Sequence, residues 1–297
     1  MSFMLLGILN SQAAGGAGVT YVAVGDSGVM TSSTDGITWT SQTSGFGTTV
    51  IRAVTFGDGL YVAVGGGGKM TTSPDATTWT SRTSGFGSDN LIGAAYAEAL
   101  YLAYGNAGIL TTSTDGISWT SRTTGFGTTA IRAVTYGESL YVAVGNSGKM
   151  ATSPDGTTWT SRTSGFGSNF IYGITYGDGV FVAVGLSGVM TTSTDGTTWT
   201  SRTSGFGSTH IFAVTYGDGL YVAVGDSGTM TTSTDGTTWT TRTSGFGSTR
   251  IWGVTYGDGL YVAVGSDGKM ATSPDGTTWT SRTSGFGSTS LNGVTVG

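Results

Sequence analysis

The chain has 297 residues and a net charge of −5, and only 10% of its residues are charged, so it offers no basic stripe for a phosphate backbone and nucleic-acid binding is not expected. Cysteine is absent, which excludes disulfides and thiolate metal sites, and no segment is long enough to span a bilayer. The 54 Gly, only 3 Pro and abundant Ser and Thr favour a sheet protein with hydroxyl-rich strands over a helical one.

Residues 1–18 precede the regular part of the sequence and contain an apolar run. An exposed peptide of this kind promotes aggregation, so we expect it to be covered. The favoured interpretation is an anchor bound by another subunit of an assembly, and the alternative is a tail packed on its own domain. The anchor candidates are Phe3, Met4, Leu5, Leu6, Ile8 and Leu9.

From residue 19 onward one motif, Ser-x-Asp-x-x-x-Trp, returns every 40 residues. A period this regular indicates that the units share one structure, because so short a unit cannot bury a face alone. The motif supplies seven aspartates: Asp35, Asp75, Asp115, Asp155, Asp195, Asp235 and Asp275. It ends on seven tryptophans: Trp39, Trp79, Trp119, Trp159, Trp199, Trp239 and Trp279.

Each unit predicts four short strands, called a to d. In the second copy these are residues 51–56, 60–64, 69–73 and 77–83, separated by Gly-rich turns and by the Asp motif between strands c and d. The a-to-b connection, Gly57-Asp58-Gly59, is a hairpin turn signature. Four antiparallel strands per 40 residues are typical of one blade of a β-propeller.

The two ends of the repeat region are complementary. Residues 19–297 number 279, one short of seven times 40. The chain enters at strand b, near Tyr21, and ends on an unpaired strand a, residues 291–296. Pairing these ends would remove the open sheet edges, so we predict an all-β, seven-bladed propeller over residues 19–297, with blade 1 closed by three strands from one terminus and one from the other.

The repeated Asp motif resembles the Asp-box, or bacterial neuraminidase repeat, although it is one residue shorter between Asp and Trp than the commonest form. That repeat occurs in sialidase-like propellers, some plant-cell-wall hydrolases, sortilin-type receptors, photosystem assembly factors and several lectins. The resemblance implies that the Asp accepts backbone N–H groups and the Trp packs between strands, which is a structural role. Phe3 to Gly16 also resembles the start of some tailed-phage structural proteins.

The sequence does not predict an active site. Sialidase chemistry needs converging arginines, a Tyr–Glu pair and a general acid, but the only Glu residues, Glu98 and Glu138, fall in a-to-b turns. The repeated strand-d arginines should be spread around the rim, and His210 is the only histidine. We therefore expect no catalytic residues, no metal and no cofactor.

Differences between copies occur mainly at the end of the d-to-a crossing and the start of strand a, and in the b-to-c turn. Strand alternation places these segments on one face of the disc, with strand a innermost. Aromatics with polar neighbours suit sugar stacking or a protein hot spot; channel filling and drift are the alternatives, and burial of the aromatics would remove the exposed site. The ligand-binding candidates are Phe170, Tyr172, His210, Phe212, Arg250, Trp252, Arg52, Arg132 and Asn292.

These observations favour a non-enzymatic binding or display propeller in a phage virion or tail appendage that recognises a host surface glycan or protein. The first alternative is a purely structural virion decoration subunit, and the second is a free bacterial lectin, secreted or at a cell surface. The expected partners are other virion subunits through residues 1–18, and homo-oligomerisation is left open.

Overall fold

Each 40-residue repeat folds into one four-stranded antiparallel sheet in the computed structural model, which describes residues 20–297. The seven sheets are the predicted blades, numbered here in chain order of strand b. The predicted N-terminal anchor lies outside the described residues, so its partner stays a prediction.

The strands of each blade follow the order a, b, c, d. Strand a is β4 (Ile51–Gly57), β8 (Leu91–Ala97), β12 (Ile131–Gly137), β16 (Ile171–Gly177), β20 (Ile211–Gly217), β24 (Ile251–Gly257) and β28 (Leu291–Val296). Strand b is β1 (Tyr21–Gly25), β5 (Leu60–Gly65), β9 (Leu100–Gly105), β13 (Leu140–Gly145), β17 (Val180–Gly185), β21 (Leu220–Gly225) and β25 (Leu260–Gly265).

The two outer strands are shorter. Strand c is β2 (Met30–Ser33), β6 (Lys69–Ser73), β10 (Leu110–Ser113), β14 (Lys149–Ser153), β18 (Val189–Ser193), β22 (Thr229–Ser233) and β26 (Lys269–Ser273). Strand d is β3 (Thr40–Ser41), β7 (Thr80–Thr83), β11 (Thr120–Arg122), β15 (Thr160–Thr163), β19 (Thr200–Thr203), β23 (Thr240–Thr243) and β27 (Thr280–Thr283). Short 3₁₀ turns join b to c: Asp26–Gly28, Gly66–Gly68, Asn106–Gly108, Asn146–Gly148, Leu186–Gly188, Asp226–Gly228 and Ser266–Gly268.

The predicted closure of the ring is confirmed. Strand β28 pairs antiparallel with β1, with Tyr21 opposite Val296 and Ala23 opposite Val294. Each strand a also contacts strand a of the next blade, and the series closes where β28 contacts both β24 and β4. The two termini of the repeat region are therefore held in one sheet.

Strand d is shorter than predicted. The sequence indicated residues 77–83 in the second copy, but β7 begins at Thr80. The backbone N–H groups of Thr77 and Thr78 donate to Asp75 Oδ1 at 2.9 and 2.7 Å, so these residues belong to the Asp turn and not to the strand.

Neighbouring blades pack through apolar side chains and one repeated tyrosine. Val142 and Val144 of β13 are fully buried, and the Tyr141 hydroxyl donates to the Ala97 carbonyl of the preceding blade at 2.8 Å. Gly137 lies at a close approach between blades, since a Cβ there would lie 2.1 Å from the Tyr176 ring of the next blade. The position is Gly in six blades and Ala97 in blade 3, so only small residues occupy it.

Candidate functional site: the channel mouth

The two faces of the disc are built from different connections, as predicted. On one face, the b-to-c turn binds the crossing that enters the same blade, for example Asp226 N–H to the His210 carbonyl at 2.9 Å. We call this the variable face. On the other face, the turn face, the Asp turn packs beside an a-to-b connection, as where Gly116 approaches the Leu60 side chain.

The Asp turns of the turn face have one repeated geometry. Asp155 Oδ1 accepts the backbone N–H groups of Thr157 and Thr158, both at 2.8 Å, and the Ser153 hydroxyl at 2.9 Å. Backbone hydrogen bonds of this kind favour the charged carboxylate and lower the pKa of Asp35 to about 2. Trp159 Nε1 donates to the Gly156 carbonyl at 3.1 Å, so the motif closes the turn and the predicted acceptor role is confirmed.

Three large rings from consecutive strands a meet at the channel mouth of the variable face. Tyr172, Phe212 and Trp252 are only 3%, 2% and 6% exposed and form their own apolar cluster. The ring centres of Phe212 and Trp252 lie 4.6 Å apart, and those of Tyr172 and Phe212 lie 5.6 Å apart. The interpretation of these rings as an exposed stacking surface is therefore wrong, because the strands converge at the axis and the rings bury one another.

Above this cluster lie the residues that remain accessible. Phe170 and His210 are half-buried, and Arg250 is exposed. These residues lie over the buried layer. The ring centres of Phe170 and Tyr172 are 6.2 Å apart, and Arg250 Cζ is 5.5 Å from the Trp252 ring centre. His210 Nδ1 accepts the Ser187 N–H at 3.1 Å, which leaves Nε2 as the ring atom able to meet a ligand. We call this side of the mouth the aromatic arc.

The other side of the mouth is polar. Arg52 and Arg132 are half-buried, and Asn292 is 2% exposed. Burial lowers the pKa of both guanidinium groups, that of Arg132 to about 10, with the Arg52 charge contributing to the Arg132 shift. A pKa of about 10 leaves Arg132 charged at neutral pH, so this side, the polar arc, carries two cations, with the buried Ile92 of blade 3 between them in the ring.

The b-to-c turns supply partners that the sequence analysis did not assign to the site. Their first residues vary between copies, and each of four binds a residue of the arcs in the same or the neighbouring blade. The sequence could have indicated these partners, because the first residue of the b-to-c turn varies between copies, as the start of strand a does. The pairs are Arg132 Nε to Asn146 Oδ1 at 2.7 Å, Asn292 Nδ2 to Asp26 Oδ1 at 2.9 Å, Arg250 Nε to Asp226 Oδ1 at 2.5 Å, and Trp252 Nε1 to Ser266 Oγ at 2.8 Å.

Other polar residues do not converge on a second centre. The strand-d arginines each donate Nε to a threonine hydroxyl of strand c, as Arg82 does to Thr72 at 2.8 Å, and stay on separate blades. Glu138 accepts the Tyr176 hydroxyl on the turn face. Among residues 20–297, no group of three His, Asp or Glu side chains could hold a metal ion. Within the same range, no helix is long and apolar enough to cross a membrane.

Comparison with known proteins supports the fold. The model of the DUF6242 beta propeller domain matches residues 25–132 and 120–246. No curated protein sequence matches the chain.

Solved structures with the same fold differ in sequence and in function. YCF48 from Cyanidioschyzon merolae is 17% identical, with a TM-score of 0.63 over 84% of this chain and 94% of its own. YCF48 bound to D1 peptide is 15% identical, with a TM-score of 0.67 over 84% and 87%. Virginiamycin B lyase from Staphylococcus aureus is 12% identical, with a TM-score of 0.70 over 78% and 84%. At such identities the likeness concerns the fold alone.

Proposed function

This chain belongs to the DUF6242 β-propeller domain family, and we propose that it is a non-enzymatic binding module whose channel mouth recognises a ligand. The observation that carries the proposal is the loss of seven-fold symmetry around the channel mouth. The backbone repeats in every blade, whereas the residues around the mouth divide into an aromatic arc and a polar arc. A purely structural ring would not need that division.

The chemistry of the mouth favours a ligand with a flat or apolar part and a negative group. Phe170 and His210 provide accessible ring surface over a rigid buried layer, and aromatic surface supports sugar stacking or a protein hot spot. Arg52 and Arg132 bring two positive charges to the mouth in addition to the Arg250–Asp226 ion pair, in a protein whose net charge is −5. Buried supporting residues reduce the cost of ordering the site on binding.

Catalysis is not part of the proposal, because the polar groups of the mouth are arranged to hold one another. Asp226 is engaged by Arg250 and Asp26 by Asn292, so each acid already has a structural partner. The one histidine accepts a backbone N–H through Nδ1 and has no nucleophile bonded to it among the described contacts.

The biological setting that we propose is a phage virion or tail appendage, held in its assembly by the apolar segment from Phe3 to Leu9. The ligand would then be a glycan or protein of the host surface. A fold shared with YCF48 supports the protein option, since that propeller has been solved with a peptide bound. The resemblance of the repeated turn to the Asp-box supports the propeller fold and carries no information about the ligand.

A glycan array and a host-cell binding assay test this function. Arg250→Ala is the informative variant, because the side chain is exposed and its removal leaves the buried layer in place; Trp252→Ala would confound binding with folding. The matched control is Asp258→Asn on the turn face, which removes a charge and keeps a residue that tolerates the positive φ of 48°. Reduced binding by Arg250→Ala alone supports the mouth, and equal binding by both variants contradicts it.

A further inference from the structure

A second kind of cavity lies on the outer part of the variable face, away from the channel mouth. In blade 5 it runs between the crossing that enters the blade and the crossing that leaves it, beside the first residue of strand c. Its volume is about 540 Å³, and its lining includes Gly165, Val189, Arg202 and Gly205. We call such a cavity a rim groove.

The size of the groove depends on one side chain. In blade 3 the position holds Ile109 and the groove measures about 600 Å³, whereas in blade 4 it holds Lys149 and only about 210 Å³ remains. The two larger volumes fall within the usual range of small-molecule sites, roughly 300–1,000 Å³, and the smaller one does not. Blades 3 and 5 are open and blade 4 is closed.

In the closed groove, the lysine side chain forms a hydrogen bond across the cavity. Lys149 Nζ reaches across the groove to the Phe126 carbonyl at 2.7 Å. Lys69 and Lys269 make the same contact in blades 2 and 7, at 3.0 and 2.9 Å. The chain therefore contains both forms of the groove, and lysine fits the closed form without disturbing the blade.

The lining of the open groove suits a saccharide. Arg202 donates Nε to Thr192 Oγ1 at 2.9 Å, which fixes the side chain, and Arg202 is one of the residues that line the cavity. Ser187, Ser201 and Thr203 add hydroxyl groups, glycine residues leave backbone groups accessible, and Val189 adds an apolar surface. No acidic side chain lines the groove, which disfavours cationic ligands.

We propose that the open rim grooves of blades 3 and 5 each bind one saccharide unit, with acidic sugars preferred over neutral ones because of the arginine. This assignment goes beyond the channel-mouth function and does not depend on it. Two equivalent sites on one rigid disc would let the protein bind a repeated glycan bivalently, and linked binding strengthens overall attachment without new contacts.

The test is the number of sites, measured by isothermal titration calorimetry with a panel of monosaccharides: uronic acids, sialic acid and neutral hexoses. Wild type should bind at least two equivalents of an acidic sugar in the rim grooves, since blades 1 and 6 also lack lysine and carry Val29 and Thr229 at this position. Val189→Lys should bind one equivalent fewer than wild type, and Val189→Lys combined with Ile109→Lys should bind two fewer. Lys149→Val should open the groove of blade 4 and bind one equivalent more.

The controls separate the grooves from the channel mouth. Arg250→Ala should leave the rim stoichiometry unchanged, so failure of the mouth and failure of the grooves give different results. Thermal melts of the lysine variants check folding, and an unchanged melt is expected because three blades already carry lysine there. Stoichiometry unaffected by these substitutions, binding of sulfate but no sugar, or no binding by any sugar of the panel at millimolar concentration would overturn the proposal.

Discussion

The turn face and the variable face are made from the same 40-residue unit, yet the copies of that unit are nearly identical on the turn face and differ on the variable face. On the turn face, all seven aspartates accept the same pair of backbone N–H groups. On the variable face, the backbone bonds between crossing and b-to-c turn are repeated, but the side chains around the mouth vary from blade to blade. The turns that hold a blade together recur, whereas the residues proposed to recognise a ligand depart from the repeat.

The largest expected effect comes from deleting β28, the strand that closes the ring. Deleting residues 290–297 removes β28, including the fully buried Leu291 and Val294, and exposes the edge of β1. We expect the melting temperature to fall by roughly 10 °C or more, with loss of a single sharp transition, as measured by calorimetry.

A circular permutant provides the control for the deletion. Joining Gly297 to Thr20 through an Asp-Gly turn, and opening the chain in another crossing, keeps every strand. Its melt should stay close to that of wild type. A deletion variant that melts like wild type would show that the ring does not depend on β28.

The buried layer of the mouth should behave as core. Phe212→Ala removes a ring that is 2% exposed and packed against two other rings. We expect the free energy of unfolding to fall by about 3–5 kcal/mol, as for other buried Phe-to-Ala changes, in urea titrations. Phe212→Leu should cost much less, and a loss below about 1 kcal/mol for the alanine variant would mean that the cluster is not packed.

The turn face should be sensitive to acid. Backbone N–H bonds lower the pKa of Asp35 and of Asp115 to about 2, below the value of about 3.9 for an unfolded Asp. Since the folded pKa is depressed, the stabilisation is fully present above pH 4 and is lost as the pH falls from about 4 towards 2. Melting temperatures should therefore be flat near neutrality and fall in that window.

Single turn variants sharpen the acid prediction. Asp35→Asn should melt a few degrees below wild type at pH 7 and approach it at pH 2, where about half of the wild-type carboxylate is protonated. A difference between the two proteins that stays constant from pH 7 to pH 2 would show that the carboxylate charge is not what stabilises the turn.

The smallest expected effect concerns the hydrogen bond between blades. Tyr141→Phe leaves the Ala97 carbonyl without its donor and should lower the free energy of unfolding by about 1 kcal/mol. Blade 5 carries Phe181 at the equivalent position, so Phe181→Tyr is the reciprocal variant and should be neutral or stabilising. Destabilisation by both changes would indicate that ring packing, not the hydroxyl, decides the effect.

Much of the fold follows from the sequence, and the limits have physical causes. The period and the complementary ends predict seven blades and their closure, and strand β6 and strand β28 have the predicted bounds. Strand d was placed too early because the Asp carboxylate, not strand c, takes the N–H groups of Thr77 and Thr78. The alternation of apolar and polar residues does not show whether these N–H groups bind the carboxylate or the neighbouring strand.

The location of the candidate residues on the variable face could be predicted from the sequence, and their burial could not. Comparison of the copies located Tyr172, Phe212 and Trp252 at the mouth, but their burial depends on how closely the strands converge at the axis. The ion pair of Arg250 with Asp226 joins two neighbouring blades, and such a contact requires the closed ring to be known. The accessible residues of the aromatic arc are therefore Phe170, His210 and Arg250, which lie above the buried rings of Tyr172, Phe212 and Trp252.

The most direct test of the account compares the two faces in one equilibrium binding measurement. The ligand selected by wild type on the array is titrated against a mouth variant, His210→Ala with Arg250→Ala, and a turn-face variant, Asp218→Asn with Asp258→Asn. The account predicts a dissociation constant that is at least about tenfold larger for the mouth variant and unchanged for the turn-face variant. Equal affinities, or weakening by the turn-face variant alone, would contradict the assignment of recognition to the variable face.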